Sequence, residues 1–450
     1  MKNTDVDASS MLRPEINGFR NVRLLDREGR YDLLWEDGVI SVLRPHDPQE
    51  KAGDGVMDGG GNLLLPPFVD SHFHLDSVLT RGQPRLNQSG TLREGIALWK
   101  EYKATLTEED VWQRANRYCA WAVARGIGAI RSHVDVSEPS LAAVRALLQV
   151  RREWAGLLDI QLVAFPQDGY LADPETPRRM REALDLGVDV VGGIPHGERT
   201  YAEGTESIRQ LCALAAERQL PVDIHCDETD DPASRHVETL ARETLRHGLE
   251  GRVSASHLTS LHSIEAAPAA RIIALMAEAG LHAIPNPLIN ITLQGRYDGY
   301  PKRRGLTRID EMRAAGLNVS LGHDCVADPW YPLGSGDMLA VASMACHAGL
   351  LMGPEDFRAM LHAVTGAGAR TLGLTHYGLR VGGPADGVLL HARSAEEALR
   401  LLPERLWVIR RGRVVGRQET ARAWQWREDS VGIRVDFHDV TGGGNDSGKS

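Results

Sequence analysis

The chain is poor in cysteine, in basic runs and in long apolar runs, and each shortage counts against a class of protein. Five cysteines in 450 residues (Cys119, Cys212, Cys226, Cys325 and Cys346) stand far apart, with no C-x-x-C among them. That spacing disfavours a disulfide scaffold or a cysteine-rich zinc module, and the thiols are expected to be reduced, as in the cytoplasm. No Lys/Arg block is longer than "KRR" (Lys302–Arg304) and the net charge is −10, which argues against a polyanionic partner such as nucleic acid. No apolar run approaches the roughly 20 residues of a membrane helix. The opening "MKNTDVDASSMLRPEI" has no apolar export segment. What is there, 42% hydrophobic and 25% charged residues, suits a globular chain with a sizeable core. The length fits one large domain with an accessory one.

Between about Leu63 and Leu374 short apolar strands alternate with amphipathic helices. The strands are "LLLPPFVDSHFH", "GIGAIRSHVDV", "LDIQLVAFP", "VDVVGGIPH", "LPVDIHCDE", "GRVSASHL", "LHAIPNPLIN" and "LNVSLGHD". Most are nearly continuous apolar runs, as parallel strands covered on both faces should be. "LTEEDVWQRANRYCAWAVARG" reads as a helix starting at Thr107 and stopping at Gly126, and "SEPSLAAVRALLQV" carries Pro139 where a first helical turn tolerates it. Eight strand–helix units predict an α/β fold, a (β/α)8 TIM barrel, with a doubly wound open sheet as the alternative.

The ends follow another rhythm. "GFRNVRLLDREGRYDLLWEDGVISVLRP" alternates apolar and polar residues around "REGR" and "EDG", and "PADGVLLHA" and "LWVIRRGRVVGR" do the same near the C-terminus. The expected organisation is a barrel over 67–378 and one small β-sandwich domain built from 1–66 and 379–420. An extension over 421–450 should be partly disordered, since its end, "TGGGNDSGKS", is Gly/Ser-rich. Gly443–Ser450 matches a phosphate-loop pattern, but no helix follows to aim its amides at a phosphate.

In such barrels the C-terminal strand ends form the active face, so polar residues there carry most weight. The first strand ends in "HFH", and His72 and His74, two apart, share one side. The fifth ends in "HCDE", giving His225 and Glu228. The sixth ends in His257, and the eighth in His323 and Asp324. Imidazoles and a carboxylate on one rim are what a divalent metal requires, Zn2+ or Fe2+ above all. His323 should point away, because neighbouring strand residues face opposite sides. His133 and His196 also lie at strand ends and are read as structural or outer-sphere residues rather than ligands.

Together, "VDSHFHLD", "HCDETDD", "ASHLTS" and "GHD" resemble the amidohydrolase superfamily. "GQPRLNQSGTLREGI", "RSHVDVS", "VAFPQDG", "NPLINITLQGRYDGYPKRRG" and "DPWYPLG" make the chain similar to the bacterial cytosine deaminases in particular. The likeness runs from the first β-segment to about Arg417 and weakens only in the tail. It implies His72, His74, His225 and Asp324 as ligands of one divalent ion (Zn2+, Fe2+ or Mn2+) and an assembly of several subunits. Two-metal members bridge their ions with a carboxylated lysine on the fourth strand; "VGGIPHGE" has none, which favours one ion. The implied chemistry is hydrolytic deamination of a small pyrimidine base. Asp324 and His257 would deprotonate a water acidified by the ion, and Glu228 would protonate the ring nitrogen next to the carbon attacked. Gln167 would meet the ring's O2 and N1–H edge, and Trp330 would wall the pocket. Plainer readings stand beside these: Glu228 capping a helix after strand five, Gln167 bonding a loop backbone, Trp330 simply packing.

One position departs from the family. Bacterial cytosine deaminases usually carry a second aspartate directly after the metal-binding one, near the C4–C5 edge of the pyrimidine, and here that position is Cys325. It could be a small buried hydrophobe, a further ligand or nucleophile, or a device for substrate choice. A thiol tolerates a methyl group where a hydrated carboxylate would not, so the third reading predicts 5-methylcytosine as substrate, giving thymine and ammonia, with cytosine also accepted. Rival readings are an ordinary cytosine, isocytosine or isoguanine deaminase, an amide-ring-opening enzyme of the hydantoinase or dihydroorotase kind, and a metal-containing binding protein without catalysis.

Overall fold

The computed structural model describes residues 15–418, so the C-terminal extension with its phosphate-loop pattern, and nearly all of the opening segment, lie outside the described residues. The strands, in chain order, are β1 Gly18–Leu24, β2 Arg27–Glu36, β3 Val39–Pro45, β4 Val56–Asp58, β5 Leu63–Leu65, β6 Phe68–Phe73, β7 Ile127–Asp135, β8 Asp159–Phe165, β9 Val190–Gly193, β10 Val222–Cys226, β11 Val253–His257, β12 His282–Ile284, β13 Asn318–Val319, β14 Gly387–Leu390, β15 Arg405–Arg410 and β16 Arg413–Arg417. They form two sheets.

The first sheet joins both ends of the described chain, in the order β16-β15-β14-β5-β1-β2-β3, with β4 beside β1. Its seam is the antiparallel pair β5–β14, with Leu65 opposite Val388 and Leu64 opposite Leu389. The turns Asp37-Gly38 (φ 48° and 77°) and Arg411-Gly412 (φ 48° and 75°) are left-handed at both positions, the conformation that matches the strands' twist. "REGR", expected to be a turn, lies in β2: Leu24 already faces Arg27, so the chain reverses at Leu25-Asp26. The glycine that suggested a turn, Gly29 (φ 88°), instead stands where the β1–β2 register shifts. Phe19 packs edge-on against Trp35 and Trp407, at 5.7 and 6.3 Å between ring centres, and forms this sheet's own core.

The second sheet runs β6 to β13 in sequence order, parallel throughout. Its two edges are joined: Ser71 N–H donates to Leu321 O (3.2 Å), Asp324 N–H to His72 O (2.8 Å) and His74 N–H to Asp324 O (3.1 Å). The sheet therefore curls until its first strand bonds to the chain that follows its last. The helix Glu108–Ala124 starts as expected, with Thr107 Oγ1 accepting from Asp110 N. The next helix begins only at Ala142. Pro139 stays ahead of it, because the Glu138 carboxylate takes the Ser140 and Ala142 amides in a turn of its own. β12 and β13 are shorter than the apolar runs suggested. Pro287 opens a helix over Pro287–Leu293, which removes "PLIN" from the strand.

Inside the curled sheet sits a charged layer. Arg131, 1% exposed, donates to Asp223 Oδ2 (2.9 Å), Ser254 Oγ (3.0 Å), Gln161 Oε1 (2.8 Å) and Thr371 O (2.8 Å). At the junction of the two sheets, Arg405 of β15 forms a two-pronged ion pair with Asp337, which itself caps the helix Met338–Gly349, and Arg405 also donates to Arg125 O. Among the described residues no helix is long and apolar enough to cross a membrane.

Breaking the junction pair leaves the buried Asp337 carboxylate with only the exposed Arg125, at 3.4 Å, as a charged partner. Arg405→Ala is expected to lower stability by about 3–5 kcal/mol, measured as the shift of the urea or thermal unfolding midpoint.

Candidate active site

The site forms where β6, β10, β11 and the segment after β13 end. Strand alternation does the first part of the work. His72 and His74 turn inward, while Phe73 between them faces out and stacks on Tyr118 at 4.2 Å. The His225 ring, on β10, stacks on Phe165 at 4.1 Å. His257 and Asp324 sit at backbone φ of 70° and 71°, left-handed values that ordinary residues adopt at a cost of about 1–3 kcal/mol. Such strain, at the end of β11 and in the segment after β13, re-aims both side chains away from the regular strand direction.

The sequence-predicted residues converge. His74 Nε2 lies 3.1 Å from His225 Nε2 and 3.5 Å from Asp324 Oδ1, and His72 Nε2 lies 3.7 Å from the same oxygen. Donors about 2.0–2.1 Å from a tetrahedral centre stand roughly 3.3–3.4 Å apart, so these separations suit one shared ion. Burial, and then the neighbouring rings, push His72 and His225 far below the ordinary imidazole value; burial and His133 do so for His74. All three rings are then neutral, with lone pairs to offer. Burial, with Glu228 next, pushes the Asp324 carboxyl well above its usual value. Among the described residues the partners of this carboxyl are the Cys325 thiol and histidines, with no lysine or arginine, a donor set matched to a cation. His133 also belongs to the cluster, its ring 4.1 Å from that of His72. The groups His72–His74–His133 and His72–His225–His257 each bring their donor atoms within 4.8 Å of one another.

Above the cluster a chamber is lined by His74, Gln167, His225, Glu228, His257, Asp324, Cys325 and Trp330, together with Ile194 and Leu293. Glu228 is buried, which pushes its carboxyl up to about 8, and Oε1 lies 3.4 Å from His257 Nδ1. The next long helix starts only at His236 with Arg235 as its cap, so Glu228 caps no helix. Asp227 takes that structural part: its carboxylate accepts from the His236 and Val237 amides and from Ser234 Oγ. Cys325 is buried and its thiol donates to Asp324 Oδ1 at 3.3 Å; burial and the carboxyls of Asp324 and Asp328 push its pKa far up, so it stays a neutral thiol. Asp328 pins the loop by accepting from the Trp330 and Tyr331 amides. His323 turns away, bonding the Cys325 carbonyl through Nδ1 at 3.0 Å. His196 lies in a short turn, Pro195–Gly197, on the wall of a wider outer cleft of about 930 Å³, which shares Glu228, Ile194 and Leu293 with the chamber.

Sequence reasoning missed several residues. Asn290 Nδ2 and Asn286 Nδ2 lie 3.0 and 3.3 Å from His257 Nδ1; both come from "NPLIN", read as strand. Asp223 and Ser256, at the same inward alternation as His225 and Ser254, lie directly beneath the histidines. The available signal was polar residues spaced by two along otherwise apolar strands.

Residues 55–416 match the model of the amidohydrolase family, and the chain belongs to that family. It is a hydrolase of the amidohydrolase type, a metal-dependent class that includes deaminases. The structure of 5-methylcytosine deaminase from Klebsiella pneumoniae, liganded with 5-fluorocytosine, is 41% identical. It superposes with a TM-score of 0.89 over 91% of this chain and 99% of that one. Pterin deaminase of Rhizobium rhizogenes is 32% identical over 86% of this chain and 88% of its own length. N-isopropylammelide isopropyl amidohydrolase of a Pseudomonas species is 28% identical over 89% of this chain and 97% of its own.

The chamber wall depends on one glycine. A Cβ on Gly95 would stand 2.4 Å from Trp330 Cδ1 and 2.7 Å from Nε1. Gly95→Ala is expected to displace the indole, changing intrinsic tryptophan fluorescence and lowering stability by about 1–3 kcal/mol, read from thermal unfolding.

Proposed function

We propose that this protein is a metal-dependent deaminase of free cytosine-type bases that converts 5-methylcytosine and water to thymine and ammonia, with cytosine to uracil as a second reaction. The observation that carries the specificity is the Cys325 thiol on the chamber wall, at the position where bacterial cytosine deaminases usually hold an aspartate. A base with a 5-methyl group would have to strip water from a carboxylate there, whereas against sulfur the methyl gains about 0.8 kcal/mol of burial. Pocket discrimination by one methylene spans about 1–3 kcal/mol. The Klebsiella relative, a 5-methylcytosine deaminase at 41% identity, supports the same reading.

The metal ligands in this reading are His72, His74, His225 and Asp324. When bound, a divalent ion supplies the positive charge that makes the attacking water acidic enough to react near neutral pH. Asp324 and His257 take the water's proton. Glu228, still protonated at pH 7, gives its proton to N3, which leaves C4 electron-poor; it then takes the remaining proton from the new C4 hydroxyl as the carbonyl forms, delivers it to the departing amine, and is restored by the proton that Asp324 and His257 removed from the water. The water's oxygen ends on C4, and the amine leaves as ammonia. Gln167 faces the O2 and N1–H edge, and Trp330 excludes bulk water. The parallel sheet with its joined edges supports a (β/α)8 barrel over 67–378, and the seam β5–β14 supports a composite end domain, 1–66 with 379–420, folded as a β-sandwich.

A second reading, a larger aminated ring such as isoguanine or a pterin, is favoured by the outer cleft of about 930 Å³ that continues the chamber. An ammonia-release screen separates the two. The pyrimidine reading expects kcat/KM for 5-methylcytosine at or above that for cytosine, and a hundredfold deficit overturns the methyl preference. Cys325→Asp is expected to lower the 5-methylcytosine to cytosine ratio by about 10–100-fold, and an unchanged ratio removes Cys325 from specificity.

Glu228 must be protonated to act, and its pKa is raised to about 8 by burial, so kcat/KM is expected to be flat near neutrality and to fall as pH rises past about 8. Glu228→Gln, which has no proton to lend, is expected to lose about 10²–10⁴ in kcat.

A further inference from the structure

Asp223 is fully buried at the middle of β10. The guanidinium of the equally buried Arg131, always charged, is ion-paired with its carboxylate. An ionised carboxylate only accepts hydrogen bonds. Its Oδ2 takes Arg131 at 2.9 Å and its Oδ1 takes the Ser256 hydroxyl at 2.7 Å. A serine has one proton to give, so once it is committed to Asp223 the Ser256 oxygen can only accept on its other side. That other side is His72 Nδ1, at 2.8 Å. The contact therefore requires a proton on His72 Nδ1. His72 Nε2 has no hydrogen-bond partner among the described residues and lies 3.7 Å from Asp324 Oδ1, inside the ligand cluster.

We infer that Ser256, oriented by Asp223 and Arg131, is a positioning residue that fixes the tautomer of His72, keeping the proton on Nδ1 and the Nε2 lone pair bare toward the cation. The inference rests on the proposal that His72 is a metal ligand. The chain Arg131–Asp223–Ser256–His72 crosses four strands, β7, β10, β11 and β6, so each donor is set by a different element and none rotates independently. The direction of every bond in it follows from the guanidinium, which can only donate. Without Ser256 the His72 ring loses the acceptor that selects its tautomer. A proton on Nε2 would then compete with the ion for the same lone pair.

Two measurements test this. In wild-type protein stripped of metal, the ring nitrogen shifts of ¹⁵N-histidine, with His72 assigned from His72→Gln, are expected to show Nδ1 protonated and Nε2 bare; the opposite tautomer overturns the inference without need of any variant. In Ser256→Ala, Zn2+ affinity measured by chelator competition is expected to fall about 10–100-fold, in a metal-free protein whose unfolding midpoint is lowered by the lost buried bonds but whose transition stays cooperative. Wild-type affinity in that variant also overturns the inference. Failure of the wild type itself to bind a divalent ion overturns the metal-centre reading instead, and the two failures are told apart by which protein shows them.

Discussion

One buried guanidinium organises the interior. Arg131 brings a guanidinium into a space sealed from water, and its N–H groups make four hydrogen bonds there, without which they would cost the stability of the whole sheet. The acceptors come from β8, β10, β11 and the helix Gly366–Leu372, so satisfying one side chain fixes the rotation of several elements about their own axes. Buried ion pairs of this kind add little net stability compared with an apolar core. What this one supplies is register: the carboxylate of Asp223 is held at a fixed height below the histidines, and everything above it inherits that height.

The site above is built on the opposite principle. Five buried imidazoles and a carboxyl, with no lysine or arginine among the cluster's hydrogen-bond partners in the described residues, form a place that is electrostatically incomplete by itself. The left-handed backbone of His257 and Asp324 is strain of the sort found where side chains are aimed by need rather than by strand geometry. Charge satisfied below and charge left wanting above divide the interior into a scaffold and a working face.

How much of this the sequence discloses varies with the physics of each part. Period-two alternation made the pair His72 and His74 legible, and continuous apolar runs marked the parallel strands, because both patterns are direct records of burial. The last two strands were over-read: "LHAIPNPLIN" is apolar whether it is strand or helix, and only Pro287 hints at the change. The first hairpin turn was misplaced for a related reason, since Gly29 signals an irregular backbone without saying whether the chain reverses there or merely bulges. Arg131, at the same alternation as His133, could have been read as inward-facing. Ser256, two residues from Ser254, carried the same mark of direction, but nothing in the sequence shows that its hydroxyl meets Asp223 on one strand and His72 on another. Linear pattern records which way a side chain points; it does not record which partner meets it.

The seam between β5 and β14 has a consequence for how the protein is made. Leu63–Leu65 emerges early from the ribosome, yet its antiparallel partner Gly387–Leu390 is synthesised only after the entire parallel sheet. Until then one side of an apolar strand stands open to any other chain with an exposed edge. The nascent polypeptide thus carries an unfinished margin through most of its translation, and the order of synthesis places the closing of that margin, rather than the packing of the catalytic sheet, last in its assembly.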